Sequence, residues 1–140
     1  MKNKSAGFTI VELLIVIVVI GILAAITIVA YNGIQGRARD SRVDGDVRLV
    51  KTALEMYKAD NGFYPSIGSD NSGYDVSLLG PVLTPNYIRT MPSNPGLLQY
   101  VRGGAGSNSY GIYMDYESKP DCKTGQNIAV GWWGVGLPTC

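Results

Sequence analysis

The hydrophobic residues of this chain fall into three regimes, each with its own period. From Phe8 to Tyr31 they run almost without a break. A helix over that stretch is about 36 Å long at ~1.5 Å per residue, enough to cross a bilayer. From Val43 to Tyr57 the apolar positions Val43, Val47, Val50, Leu54 and Tyr57 recur three and four apart, one stripe of an amphipathic helix. Near the far end the period drops to two. Tyr110, Ile112, Met114 and Tyr116 alternate with Gly111, Tyr113 and Asp115, the mark of a half-buried strand. The pattern predicts an α+β chain: a long N-terminal α-helix, membrane-spanning in its first half and amphipathic in its second, packed against a small antiparallel sheet of three or four strands.

Local signals set the boundaries. Asn32-Gly33, Gly36 and Gly45 weaken the helix by ~1 kcal/mol per Gly relative to Ala and predict a bend between Tyr31 and Gly36. Asp60-Asn61-Gly62 ends the helix, since Asn and Gly suit a left-handed cap. Phe63-Tyr64-Pro65 leaves it as extended chain, and residues 66–73 form a polar loop. A short helix is expected over Asp75–Leu83, with Val76, Leu79 and Val82 inward and a break at Gly80-Pro81. Tyr87–Pro95 reads as an extended connector. Strands are expected at Leu97–Arg102, around Tyr110–Tyr116, and at Asn127–Trp133, where Ile128, Val130 and Trp132 share a face. Glu117–Gly125 is then a polar loop. Four segments result: 1–7, a short basic start; 8–31, the membrane-spanning helix; 32–62, its amphipathic half; and 63–140, a globular head.

One charge interrupts the first regime. Glu12 is the only charged residue between Phe8 and Tyr31. A carboxylate there costs roughly 2.5–3.5 kcal/mol on insertion scales, so it needs a partner or a function. No Lys or Arg lies in the run, which puts the expected partner outside this helix. A cut between Gly7 and Phe8 would create one, because the new α-amine is cationic below its pKa of ~7.7–8.0. Opposite charges 4 Å apart at an effective dielectric of ~20 attract by ~4 kcal/mol, about what burying Glu12 costs. The pair can form within one helix or between neighbours, where it would set an axial stagger.

Gly7-Phe8-Thr9-Ile10-Val11-Glu12-Leu13-Leu14, after a start holding Lys2 and Lys4 and before apolar Ile15–Ala25, resembles the N-terminus of type IV prepilins and pseudopilins. Gly21 and Tyr31 also fall where that family often has Gly and Tyr. Val29 departs from it, standing where many Gram-negative pilins have Pro. Tyr57–Pro65 and the Tyr87–Pro95 connector are similar to the matching stretches of pseudopilins. The resemblance implies that residues 1–7 are a leader, that a membrane peptidase cuts between Gly7 and Phe8 and methylates the Phe8 amine, and that Glu12 is an assembly contact. It implies a structural subunit of a type IV pilus-like surface filament, polymerising through its N-terminal helix. Such a subunit waits as a single-pass protein of the bacterial inner or cytoplasmic membrane and ends in a filament at the cell surface. Its partners would be copies of itself, the prepilin peptidase and methyltransferase, the pilus or secretion assembly machinery, and the membrane. Two alternatives stand beside it: a pseudopilin of a type II secretion system, and a membrane-anchored binding protein that never polymerises.

The remaining features narrow this reading. A secretory signal peptide has an apolar core of only ~7–15 residues, with its cleavage site behind it. Lys2 and Lys4 precede the run but Arg37, Arg39 and Arg42 follow it, so charge alone does not orient the span and the resemblance does. In 140 residues with a net charge of +1 there is no strong field to attract nucleic acid. The sequence has no His, which most transition-metal sites and most serine or cysteine nucleophiles use, and no enzyme is expected. Arg37, Arg39 and Arg42 read as a solvated face paired with Asp40, Asp44 and Asp46, with an anion or phospholipid heads as the alternative. Cys122 and Cys140 are the only cysteines. An even pair on an extracytoplasmic domain suggests one disulfide, and many type IV pilins enclose a C-terminal segment in this way. Asp115, Glu117 and Asp121 are candidate ligands for calcium, which pseudopilins of this size often hold in a loop near the sheet. Their spacing matches no EF-hand, and exposed loop acids are the preferred reading. The disulfide, together with the lack of a calcium-loop spacing, leans the reading from pseudopilin towards pilin. Trp132-Trp133, on alternating strand faces, would leave at most one ring free for binding.

Overall fold

The computed structural model describes residues 7–93, 96–104, 106–134 and 136–140. The basic start with Lys2 and Lys4, and Asn94-Pro95 of the connector, lie outside the described residues. One helix, α1 (Ile10–Asn61), contributes to two compact units, Met1–Gly36 and Arg37–Cys140.

In the first unit α1 is apolar enough to cross a membrane, and its apolar side chains from Ile10 to Ile34 are exposed. Thr27 is satisfied locally. The Thr27 hydroxyl donates to the Leu23 carbonyl at 2.6 Å, a bond back to the preceding turn that lets a hydroxyl sit in an apolar helix. Helical pairing continues through Val29 and from Tyr31 to Gly36, the stretch where glycines predicted a bend.

In the second unit the stripe of α1 does what its period predicts. Val43, Val47, Val50 and Leu54 are buried, with Tyr57 packed at the margin. α1 stops at Asn61 because Gly62 takes a positive φ of 83° and its N–H donates to the Lys58 carbonyl at 2.7 Å, closing a left-handed cap. Asn61 adds a bond from Nδ2 to the Tyr57 carbonyl at 2.8 Å.

The sheet is an antiparallel meander of β1 (Tyr74–Asp75), β2 (Leu98–Arg102), β3 (Tyr110–Met114) and β4 (Cys122–Gln126), ordered β1-β2-β3-β4. Leu98, Tyr100, Tyr110, Ile112 and Met114 turn towards the α1 stripe and complete the core, closed by Val76, Leu79 and Leu83. Each such side chain contributes roughly 1.5–3 kcal/mol on burial. The core tyrosines keep their hydroxyls bonded. Tyr64 donates to Glu55 Oε1 at 2.9 Å, Tyr110 to the same oxygen at 3.3 Å, and Tyr100 to the Pro65 carbonyl at 2.8 Å. Burial, with the Glu55 carboxylate beside them, pushes the Tyr64 and Tyr110 hydroxyls well above the usual tyrosine range.

Two expectations about elements fail, and both for local reasons. The last strand is Cys122–Gln126, four of its five residues inside the expected loop, and not Asn127–Trp133. Asn127 and Trp133 adopt positive φ values of 50° and 57°, which no continuous strand tolerates, and Val130 is 73% exposed. The true strand shows no period of two because it is polar. It is fixed by pairing Met114 with Cys122 and Ile112 with Thr124. Gly125 permits the pairing: at φ 151°, a Cβ there would come within 2.2 Å of the Tyr110 carbonyl oxygen. In the short helical stretch, a 3-10 turn over Val76–Leu79 leads into α2 (Gly80–Leu83), so Gly80-Pro81 starts a turn instead of breaking one. Leu83, not Val82, completes the buried set.

The sheet face turned away from α1 is covered as well. Trp132, 8% exposed, lies over Gly111, and its Nε1 donates to Asn71 Oδ1 at 3.3 Å. Trp133 stacks on Tyr113 at 5.9 Å and donates to Gln99 Oε1 at 2.9 Å. Both tryptophans are packing residues on one face, which corrects the alternating arrangement read from the sequence.

Candidate functional site

The residues singled out by the sequence lie at the start of α1. Phe8, exposed, precedes the helix, and Glu12 is its third residue. Thr9 precedes it as the cap. The Thr9 N–H and hydroxyl both donate to Glu12 Oε2, at 2.8 and 2.7 Å, and the Glu12 N–H donates back to Thr9 Oγ1 at 3.2 Å. This is a reciprocal capping box, which satisfies two of the helix's orphan donors. The carboxylate also sits where the helix dipole favours negative charge.

The capping box gives Glu12 a neutral partner beside the charged one expected from outside the helix. Thr9 supplies it, and the signal was legible: a Thr-x-x-Glu spacing just before an apolar run. The satisfaction is one-sided. Both bonds that the carboxylate accepts end on Oε2, and among the described residues none ends on Oε1. One carboxylate oxygen is therefore held by the helix that carries it while the other stays open to a further donor. Leu13, Val16 and Ile17 form an apolar hollow with Phe8 and Glu12 on the same side of the helix.

The other candidate residues lie in the Arg37–Cys140 unit. Cys122 and Cys140 are joined as a disulfide, with Cα atoms 5.7 Å apart. Asp115, Glu117 and Asp121 are not gathered into a ligand set, and among the described residues no group of three or more acidic, His or Cys side chains is placed to hold a metal ion. Asp121 accepts from the Tyr113 hydroxyl at 2.7 Å and the Tyr116 N–H at 3.0 Å. The bond to Asp121, with burial and the same negative charge, pushes the Tyr113 hydroxyl up to about 12. Glu117 pairs with Arg39 on the surface.

Asp40 is the residue that sequence reasoning misplaced most. Read as a partner for the arginines around it, it is 4% exposed and turned to the loop after β3. It accepts from the Glu117 N–H at 2.9 Å, the Ser118 N–H at 3.0 Å, and the Ser118 hydroxyl. Asp44, one turn on, takes the Tyr116 hydroxyl and Lys119 Nζ, the latter at 2.9 Å. Burial opposes ionisation of Asp40. The Ser118 hydroxyl, the two loop amides and the Lys119 charge outweigh it and hold the carboxyl below the usual range. For Asp44 the Tyr116 hydroxyl is the largest cause, opposed by burial and aided by Lys119 and Arg48, and the result is again lowered. A signal for Asp40 existed, because it lies three residues before Val43 and continues the buried stripe.

Comparisons with known proteins bear on the whole length of this arrangement. A family model described as the prokaryotic N-terminal methylation motif matches residues 2–28. The chain is similar to type II secretion system core protein G of Escherichia coli (strain K12), with 30% identity over 141 residues, covering 95% of this chain and 94% of that protein. It is similar to the core protein G of Aeromonas hydrophila at 31% identity, covering 96% of each. The core protein G of Pseudomonas aeruginosa matches at 29% over 102 residues, 67% of this chain. No solved structure matches the chain.

Proposed function

We propose, because this chain belongs to the type IV pilin and pseudopilin family through the type II secretion system core protein G proteins, that it is a polymerising, pilin-like subunit working in secretion. The observation that carries this reading is the end-to-end similarity, which includes the head as well as the N-terminal motif. It favours the secretion alternative over the surface pilus, the reading to which the disulfide had lent weight. It is also a structural role, with no enzymatic step of its own.

In this reading the leader is removed between Gly7 and Phe8, and the new Phe8 amine is methylated. The segment Phe8–Tyr31 anchors the subunit in the membrane and then exchanges lipid for the matching helices of other copies. Glu12 is the polar contact of that exchange. Its Oε2 remains with the Thr9 cap, and Oε1 receives the Phe8 amine of its own or a neighbouring chain. An amine left alone among apolar helices would be costly, so only a register that brings it to a carboxylate is stable. The assembly partners are copies of this chain, the processing peptidase and methyltransferase, and the secretion machinery.

Disruption of the gene in its native host, scored for both exoprotein release and surface fibres, tests the role. Exoproteins retained in the cell with surface fibres intact is the expected outcome. Loss of surface fibres with normal exoprotein release would favour the pilus instead. Intact-mass analysis of assembled subunits should give a chain beginning at Phe8 with one added methyl group, and a chain still beginning at Met1 would overturn the processing step.

A further inference from the structure

The loop between β3 and β4, residues 115–121, carries all three acids considered for calcium, and it is held by other means. Asp121 closes its base. Oδ2 accepts from the Tyr113 hydroxyl at 2.7 Å, and Oδ1 accepts from the Tyr116 N–H at 3.0 Å. The crown of the loop rests on α1. Asp40 Oδ1 accepts from the Glu117 N–H at 2.9 Å, and Oδ2 accepts from the Ser118 N–H at 3.0 Å and from the Ser118 hydroxyl. Lys119 Nζ donates to both oxygens of Asp44, at 3.2 and 2.9 Å, and the Tyr116 hydroxyl donates to Oδ1. The same ammonium lies 3.9 Å from the centre of the Tyr116 ring, a cation–π contact. Arg39 pairs with Glu117.

Calcium takes about six to eight oxygen ligands, several of them carboxylate oxygens with lone pairs to give. The donor set here does not fit that demand. Both oxygens of Asp121 and both of Asp40 already accept bonds from the loop or the strand before it, and Glu117 is turned to a guanidinium. An ion seated among them would have to displace Arg39 and Lys119 and break the bonds that shape the loop. A metal in such a loop would do two things: neutralise carboxylates that repel one another, and fix the backbone around them. The chain's own groups do both. Asp40 and Asp44 stand one turn apart, a spacing at which like charges repel, and Lys119 sits against Asp44. The Glu117 and Ser118 amides converge on Asp40, which is buried.

We propose that this head is calcium-independent, with Asp40 and Asp44 of α1, Lys119 and the Glu117 and Ser118 amides together holding the 115–121 loop as a bound calcium ion would. Lys119 is the internal cation and Asp40 the anchor of the backbone. This holds whichever filament the chain enters. Chelators, which strip a metal-held loop, leave this one closed.

The experiment uses the full-length chain in detergent micelles, in excess EDTA and in millimolar calcium chloride. Thermal melting and amide hydrogen exchange of Glu117 and Ser118 are followed in both. A calcium ion bound at about a hundred times its Kd would raise the melting temperature by roughly 10–20 °C. The expected difference is under about 3 °C, with equal exchange at the two amides. A larger rise in calcium, or slower exchange at those amides, overturns calcium independence. Two variants then test what replaces the metal. Lys119→Met removes the ammonium and keeps the length of the side chain, and it should quicken exchange at Glu117 and Ser118 roughly two- to five-fold, as for a partly exposed ion pair. Asp40→Asn should quicken both amides at least tenfold while β2 and β3 stay unchanged. Unchanged exchange in Lys119→Met overturns the part given to the ammonium. Unchanged exchange in Asp40→Asn overturns the clasp, and so does an acceleration spread evenly through the head.

Discussion

In the Met1–Gly36 unit the apolar side chains stand outward, with Ile10 80% and Ile26 63% exposed, whereas in the Arg37–Cys140 unit Val50, Leu54 and Ile112 are fully enclosed. The glycines divide in the same way. A Cβ at Gly21 or Gly33 would meet nothing within 4 Å, but one at Gly111 would press on the Trp132 and Trp133 rings at about 3 Å. The head satisfies itself: it encloses a hydrophobic core of its own, and its buried aspartate is hydrogen-bonded. The first unit satisfies its backbone, the Thr9 and Thr27 hydroxyls and one oxygen of Glu12. In the function proposed above, that hydrophobic surface meets lipid first and then the helices of other copies. Stability in the one region and assembly in the other should therefore respond to different mutations.

Glu12→Ala offers the largest expected effect and the most direct way to break the comparison. It removes a membrane-insertion penalty and one arm of the capping box, but no contact of the head. Filament yield should be lost while the processed subunit in the membrane and the melting temperature of the head stay normal. Glu12→Gln, which keeps an acceptor and loses the charge, should fall between. Filament counts by electron microscopy, set against membrane-pool subunit by immunoblot, give the answer, and normal yield from Glu12→Ala would remove Glu12 from the assembly contact.

Asp40 makes the opposite case. Asp40→Asn places amide hydrogens against the Glu117 and Ser118 donors, and should destabilise the head by about 2–3 kcal/mol without altering membrane insertion. Chemical denaturation would measure it, and a loss under ~0.5 kcal/mol would mean that the loop does not depend on this carboxylate. The same bonds predict the acid response. Asp40 and Asp44 have folded pKa values below that of an unfolded aspartate at ~3.9. The stability they contribute is fully present above that pH and is lost as the pH falls through their depressed folded values. Melting temperature should show no loss from this pair between pH 7 and 5 and should decline below about pH 4, less so in Asp40→Asn.

The smallest effect sharpens the comparison. Gly45 lies on the exposed side of α1 in the head, and a Cβ there would meet nothing within 4 Å. Gly45→Ala should raise head stability by roughly 0.5–1 kcal/mol through helix propensity alone. A loss of stability on calorimetry would show that the site is not open in solution.

The sequence by itself determined the elements that carry their own periodic signal. The apolar run, the Val43–Tyr57 stripe, the Asn61-Gly62 stop and the Tyr110–Met114 alternation are local patterns, and each produced the element it predicts. The position of Glu12 in an apolar helix was equally plain, and the Thr-x-x-Glu spacing around it encodes its cap. Tertiary structure decided the rest. β4 is polar and has no alternation of its own; only its partner strand and the close approach allowed by Gly125 make it a strand. The Ile128-Val130-Trp132 pattern looked like a strand and is a turn, because positive φ at Asn127 and Trp133 folds it back over the sheet. Asp40 belonged by charge to its arginine neighbours and by geometry to Glu117 and Ser118, far away in sequence. The physical reason is the same in each case: periodicity reports what one element buries, whereas polar pairing across sequence depends on which donors the fold brings within about 3 Å, and no local pattern encodes that distance.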